Sequence, residues 1–301
     1  IFCGRLPMPN FSLPRLCGRI SAKKSWNGLL MTLTPGREDM EKSKLNSLVK
    51  RIVTALVLVP LTVSCLWAGY PFVQLLAMTF GSMLAWEWAH MVPNQRGAFY
   101  ATLYTVVLAV AVMLGSWTAY FIVLFAGVVL AWIKSGDENR RNLLVLGVPY
   151  ISIGVGSVIW LYELVGFLVT FWFLLVVWAV DIGGFVVGCN LKGPKLAPKI
   201  SPNKTWSGLI GGVLFSVVTS IIFCYFIGAS QHNLFYGVLA AMIAVVAQIG
   251  DLVESHIKRS LNLKDSSDLI PGHGGVFDRV DGLIFAAPLV FLLFKYALFL
   301  M

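Results

Sequence analysis

The chain has 301 residues, of which 58% are hydrophobic and only 12% charged, and its formal net charge is +9. A charged share about half that of a soluble domain, with more apolar surface than one core of this size can hide, excludes an ordinary water-soluble protein. The apolar residues fall in blocks of roughly 17–23, the length that crosses about 30 Å of hydrocarbon as helix, and they lack the alternation of a transmembrane barrel.

The first forty residues carry Arg5, Arg15, Arg19, Lys23 and Lys24 and no acid before Glu38. Such a leader suits a mitochondrial transit peptide or translation upstream of a start at Met31 or Met40. The lack of an apolar stripe at helical spacing favours the second. Residues 1–45 are thus expected to be a basic extension, disordered or outside the native start. Nine candidate spans follow: Ile52–Gly69, Phe72–Met91, Phe99–Leu114, Trp117–Ile133, Leu143–Leu161, Val165–Val187, Leu209–Gly228, Leu234–Ile257 and Val280–Leu300. Pro60 is tolerable in the first, because neighbouring groups in a membrane helix re-satisfy the freed carbonyl. The expected fold is an all-α, polytopic membrane bundle. The five cysteines (Cys3, Cys17, Cys65, Cys189, Cys224) are scattered and suggest neither a disulfide framework nor a zinc site.

The basic residues orient the chain. Lys42, Lys44, Lys50 and Arg51 precede the first span, and Arg96, Lys134, Arg140, Arg141, Lys192, Lys195, Lys199 and Lys204 lie in the even-numbered connections, as do Lys258, Arg259, Lys264 and Arg279. The opposite connections, around Tyr70, Ser116, Glu163 and Gln231–Asn233, hold no Lys or Arg. The positive-inside rule then places the N-terminus and all the basic connections in the cytosol. Lys295 alone departs from the pattern, and near a helix end it can snorkel. The positive charge is accounted for by topology and by anionic lipid and anion contacts, with no need for nucleic acid.

A carboxylate within a membrane span is costly, so its position is informative. Asp181, Asp251, Glu254, Asp278 and Asp281 all fall toward the cytosolic ends of the sixth, eighth and ninth spans. On the eighth, Asp251, Glu254, Ser255, Lys258 and Arg259 share an arc of about 140°, running from acids in the membrane to bases at its surface. That gradient suits a metal–phosphate site, with carboxylates for Mg²⁺ and basic groups for the phosphates it bridges. The stretch from Lys264 to Asp281 follows, and its Pro271-Gly272-His273-Gly274-Gly275 loop lets backbone approach a ligand closely. His273 could bind phosphate, transfer a proton, or simply bond to backbone. Asp278 and Asp281, at i and i+3, share a face at a helix start. In the basic loop 192–205, Ser201-Pro202 reads as an N-cap and first helical position, opening a helix beside Lys199, Lys204 and Thr205 as a phosphate site. Glu87 and His90, near the cytosolic end of the second span, could extend the site, but as an i, i+3 pair they read rather as a structural contact.

These motifs resemble the phosphatidate cytidylyltransferase (CDP-diacylglycerol synthase) family. The likeness rests on Ser255-x-x-Lys258-Arg259, Lys264-Asp265, Pro271-Gly272-His273-Gly274-Gly275 and Asp278-Arg279-x-Asp281, with Asp181 and the Lys195–Thr205 segment in support. It implies transfer of CMP from CTP to phosphatidic acid, giving CDP-diacylglycerol and pyrophosphate. It further implies Mg²⁺, with K⁺ in the same centre, and a homodimer among membrane lipids. By the same resemblance Asp251, Asp278 and Asp281 would ligate the metal, and Ser255 and Lys258 would serve activity. Lys199, Ser201, Lys204, Thr205, Arg259, Lys264, His273, Gly274, Gly275 and Arg279 would contact substrate, with Asp181 and Glu254 as further candidates. Two positions depart from the family pattern: Ser207 stands where relatives often carry Glu or Gln, and Gly184-Phe185 where they often carry Ala-Tyr. Residues 46–164 would form the N-terminal helices and 165–301 a catalytic region facing the cytosol. The expected location is a cell inner membrane, with an organelle inner membrane as the alternative. A CTP-dependent lipid or polyprenol kinase would use similar charges, and a transporter is the rival of another class. Transporters usually place such acids near the midplane, whereas here they crowd one mouth.

Overall fold

The computed structural model describes residues 53–54, 56–113, 117–135, 138–267, 269 and 274–300. The predicted extension 1–45 and His273 lie outside that set. Helix α1 (Leu56–Ala68) leads into α2 (Phe72–Met91), α3 (Gly97–Met113) and α4 (Trp117–Lys134). The next stretch, α5 (Glu138–Leu191), is interrupted at Gly166, where φ is 72° and ψ −164°. That backbone is essentially confined to glycine, so α5 is two rods, α5a (138–165) and α5b (167–191). Strands β1 (Lys195–Ala197) and β2 (Ser201–Thr205) follow, then α6 (Trp206–Phe226), a 3₁₀ turn (Ser230–His232), α7 (Asn233–Ser260) and α8 (Phe277–Leu300).

Every predicted apolar segment falls on one of these helices. Among the described residues, Arg140–Leu191, Trp206–Phe226 and Ser230–Ser260 are long and apolar enough to cross a membrane, while Leu56–Ala68, Gly97–Val110 and Thr118–Lys134 are shorter apolar helices. The exterior is as apolar as a core, with Trp67, Phe121, Phe125, Phe185, Leu214 and Phe226 all exposed. In water such a surface would be an aggregation liability; lipid tails, as apolar as leucine, accept it.

Lipid offers no hydrophobic drive between helices, so close packing and internal hydrogen bonds hold them together. Rods α5b and α6 meet through small residues, and a Cβ on Gly208 would stand 2.9 Å from the Gly184 carbonyl oxygen. Helix α8 packs against both α5 and α7, sharing a buried cluster in which Ala286, Ala287 and Val290 meet Trp172, Val176 and Ile243. A second cluster joins Leu84 and Trp88 of α2 to Tyr104 of α3, Val148 of α5a and Phe277 of α8. Two of its polar groups are satisfied by backbone: Trp88 Nε1 donates to the Leu143 carbonyl at 2.9 Å, and the Tyr104 hydroxyl to that of Leu144 at 2.6 Å.

The expected helix start at Ser201-Pro202 is corrected, and with it the purely α-helical description. Residues 195–205 form an antiparallel hairpin with Ala197 opposite Ser201 and Lys195 opposite Thr205. Thr205 is the real N-cap of α6, with an extended backbone and an Oγ1 that accepts the Gly208 amide at 3.1 Å. Two residues able to cap a helix stand four apart here. Pairing with β1 satisfies the backbone between them, so the helix begins at the second. Pro202 is tolerated because both strands of a two-stranded ribbon are edges.

Candidate active site

The hairpin, the end of α5b, the end of α7 and the start of α8 surround a cavity of about 790 Å³. Asp181 and Gly184 line it from α5b, Lys192, Lys195 and Lys204 from the connection and hairpin, Gln248 and Asp251 from α7, and Asp281 from α8. Its walls mix these charged groups with apolar ones such as Phe185 and Leu209, and Gly184, Gly188 and Gly208 from the contact between α5b and α6 also line it.

Two of its lining acids, Asp251 and Asp281, meet a third, Glu254, that lies outside the lining. Asp251, Glu254 and Asp281 each offer a carboxylate oxygen, and these oxygens lie within 4.8 Å of one another. The i, i+3 spacing of Asp251 and Glu254 gives them one face of α7, and Asp281 approaches from the first turns of α8. Asp281 Oδ1 accepts the Gly282 amide at 2.7 Å, and Ser255 Oγ donates to Asp251 Oδ1 at 3.4 Å. Glu254 is only 1% exposed. Lys258 Nζ stands 2.9 Å from Glu254 Oε1 but off hydrogen-bonding alignment, so among the described residues that buried oxygen has no hydrogen-bond donor. A buried carboxylate oxygen left this way is costly unless a cation compensates.

Two lysines answer these acids. Lys204 Nζ, carried in on β2, lies 2.5 Å from Asp251 Oδ2. Lys258 Nζ lies 2.6 Å from Asp278 Oδ1 as well as beside Glu254. Asp278 touches Glu254 but lies outside the group of three: its second oxygen, Oδ2, accepts the amides of Gly275 at 3.1 Å and Ser266 at 3.3 Å. Of the three expected metal ligands, the structure brings Asp251 and Asp281 together with Glu254, and turns Asp278 toward Lys258 and the loop.

The remaining expected residues are dispersed. Arg259 donates to the carbonyls of Ile200 at 3.5 Å and Leu263 at 3.2 Å, tying the end of α7 to the hairpin turn. Thr205 is occupied as a helix cap and Ser201 pairs within the hairpin, while Lys199, Lys264 and Arg279 are exposed. Ser207 donates to the Lys192 carbonyl and shares a 3.0 Å hydrogen bond with Thr205, bracing the turn into the hairpin. Gly274 has φ +84°, and a Cβ on Gly275 would lie 2.9 Å from Glu87 Oε1.

That last distance points to Glu87, whose pairing with His90 was the expected contact. Glu87 is fully buried. Its carboxylate accepts the amides of Val276 at 2.8 Å and Phe277 at 2.7 Å, the hydroxyl of Ser266 at 3.3 Å and that of Ser267. The expected contact with His90 does not form in its place, because His90 Nδ1 pairs with the Trp86 carbonyl at 2.7 Å and its ring stacks on Trp86. The only sequence signal for Glu87 was an acid inside an apolar span.

Comparison with known proteins gives a concordant result. The family model described as "Cytidylyltransferase family" matches residues 49–297, a range that contains every residue of the site. A phosphatidate cytidylyltransferase from Brucella suis biovar 1 (strain 1330) is 36% identical over 256 residues, covering 82% of this chain and 93% of the relative. One from Rickettsia felis (strain ATCC VR-1525 / URRWXCal2) is 30% identical over 267 residues, covering 87% and 98%. Another, from Rickettsia prowazekii (strain Madrid E), is 41% identical over 157 residues, covering 50% and 69%.

Proposed function

The chain belongs to the cytidylyltransferase family, and from that premise we infer that it transfers CMP from CTP to phosphatidic acid, giving CDP-diacylglycerol and pyrophosphate. The observation that carries the reading is the clustering of Asp251, Glu254 and Asp281 with Lys204 and Lys258 beside a cavity that Lys204, Asp251 and Asp281 line, in an otherwise apolar helical protein. A nine-span topology with the cavity open to the cytosol belongs to the same proposal. It is supported by the one-sided distribution of Lys and Arg among the connections, and a cell inner membrane by the bacterial relatives.

The donor set fits Mg²⁺. It consists of hard carboxylate oxygens, clustered within 4.8 Å, one of them buried without a hydrogen-bond donor. Asp251, Glu254 and Asp281 would hold the ion, which when bound would neutralise charge on the triphosphate and on the departing pyrophosphate. The protein's own groups do the rest by positioning. A phosphate monoester has its second pKa near roughly 6, so the attacking oxygen of phosphatidic acid is already ionised and needs no general base. Lys204 would contact phosphate oxygens from the cavity wall and Lys258 from beside the acids, each held in place by an acid until substrate enters. The new P–O bond forms to the α-phosphorus of CTP as the bond to the bridging oxygen of the β-phosphate breaks in line.

The test is turnover of purified protein in detergent with phosphatidic acid, Mg²⁺ and CTP labelled at the α- or γ-phosphate, with and without EDTA. Metal-dependent movement of α-label into lipid, with pyrophosphate released, is the expected result. Transfer of γ-label instead would make the protein a lipid kinase, and no transfer by folded protein would sink the enzymatic reading.

A further inference from the structure

We propose that an acyl chain of the lipid substrate occupies a second, apolar chamber bounded by α1, α2, α5 and α8, with its headgroup turned into the polar cavity past Asp181 and Arg279. The proposal rests on the transfer reading above and specifies where its lipid lies. The chamber has a volume of about 330 Å³, and Leu58, Leu66, Val73, Phe80, Trp178 and Leu283 are among its walls. Asp181 and Arg279 are the charged residues lining it, and Asp181 also lines the active-site cavity. The two spaces therefore share a wall residue, with the lysines concentrated in one and apolar side chains dominating the other.

That division matches a substrate with two chemistries. The larger cavity sets its lysines and acids beside a few apolar residues such as Phe185 and Leu209, whereas the smaller one offers an acyl chain a nearly continuous wall of aliphatic and aromatic carbon. Arg279 follows Asp278 and precedes Asp281 by two residues, on the same helix start that brings Asp281 to the acid triad. A guanidinium at that junction complements a phosphate monoester and is suited to a paired contact with it. The chamber also lies close to the bilayer-facing surface. Helix α1 forms one wall, packing inward through Leu66 with Val73 and Leu174, and the Tyr162 hydroxyl donates to the Leu66 carbonyl at 2.9 Å. Its opposite side presents Leu56, Val57 and Leu61 outward, so the chamber lies one helix away from lipid.

Two experiments decide the matter. Ala77 lines the chamber on α2, and Ala77→Trp narrows it. We expect the ratio of kcat/KM for dioleoyl over dihexanoyl phosphatidate to fall at least tenfold in that variant. Val106→Trp, on the exposed side of α3, should keep the wild-type ratio. An unchanged ratio in Ala77→Trp would overturn the proposal. Independently, phosphatidate with a diazirine on its acyl chain should label peptides from 56–68 and 72–91, and unlabelled phosphatidate should compete while phosphatidylcholine should not. Equal competition by phosphatidylcholine would make the chamber a bulk-lipid groove and overturn the assignment. If wild-type protein forms no CDP-diacylglycerol, the transfer reading fails, and the labelling pattern still decides whether phosphatidate occupies the chamber.

Discussion

The carboxylate of Glu87 in α2 accepts the backbone amide of Phe277, the first residue of α8, at 2.7 Å across 190 positions of sequence. It accepts the preceding amide, Val276, as well. Helix starts leave such amides without partners inside the helix and favour negative charge. Glu87 thus acts as the cap of a helix to which it does not belong. Because Asp278 and Asp281 sit in the first turns of that helix, their depth is set by α2.

Removing this cap should loosen the active site rather than the bundle. Glu87→Ala leaves the Val276 and Phe277 amides buried and unsatisfied, at about 1–3 kcal/mol each. The expected outcome is a lowered melting temperature in detergent and a kcat reduced tenfold or more. Glu87→Gln, which keeps one accepting oxygen, should fall between. A melting curve and kcat equal to wild type in Glu87→Ala would show that the loop is held by other contacts.

Gly275 should tolerate no side chain. Its added Cβ would meet Ser266 Oγ, which can rotate, and Glu87 Oε1 at 2.9 Å, which cannot move without surrendering its amide partners. Gly275→Ala is expected to cut activity more than tenfold, and adding Ser266→Gly should restore little of it. Full recovery in the double variant would place the clash at Ser266 alone.

The helices were legible in the sequence because apolar blocks of spanning length leave few alternatives. The α7 acids were equally legible, since helical spacing alone puts Asp251 and Glu254 on one face. Glu87 was not, because its partners lie 189 and 190 residues away, while His90 stood at a spacing that suggested a local pair. The hairpin was hidden by Ser201-Pro202, a sequence equally suited to starting a helix or sitting in an edge strand. The grouping of acids was ambiguous for a similar reason. Asp251/Glu254 and Asp278/Asp281 are both i, i+3 pairs, and only the placement of Lys258 between Glu254 and Asp278 tells them apart.

Lys258 should behave as one unit with Asp278. Its side chain is 12% exposed and that of Asp278 10%, so removing either leaves a poorly solvated charge. Lys258→Met and Asp278→Asn should each cost activity and stability, and the double variant should cost less than their sum. A coupling of about 1–3 kcal/mol in a double-mutant cycle is expected for groups in such contact. Strict additivity would mean that the 2.6 Å pair contributes nothing in the working enzyme.

The same distinction separates metal ligands from anchors. If Asp251, Glu254 and Asp281 hold the ion, Glu254→Gln should raise the Mg²⁺ concentration for half-maximal activity at least tenfold, and Asp281→Asn should abolish turnover while the protein still folds and inserts. Asp278→Asn should instead lower kcat at saturating Mg²⁺ with a much smaller change in the Mg²⁺ requirement, since beside its contact with Glu254 its partners are Lys258 and two loop amides. Binding of Mn²⁺ followed by its paramagnetic resonance provides a readout apart from turnover, and Glu254→Gln should weaken it where Asp278→Asn does not. The reverse pattern would return Asp278 to the ligand set, and would require its Lys258 contact to break when metal enters. That cost would fall on a lysine with Glu254 still beside it at 2.9 Å, which is why the triad is the expected arrangement.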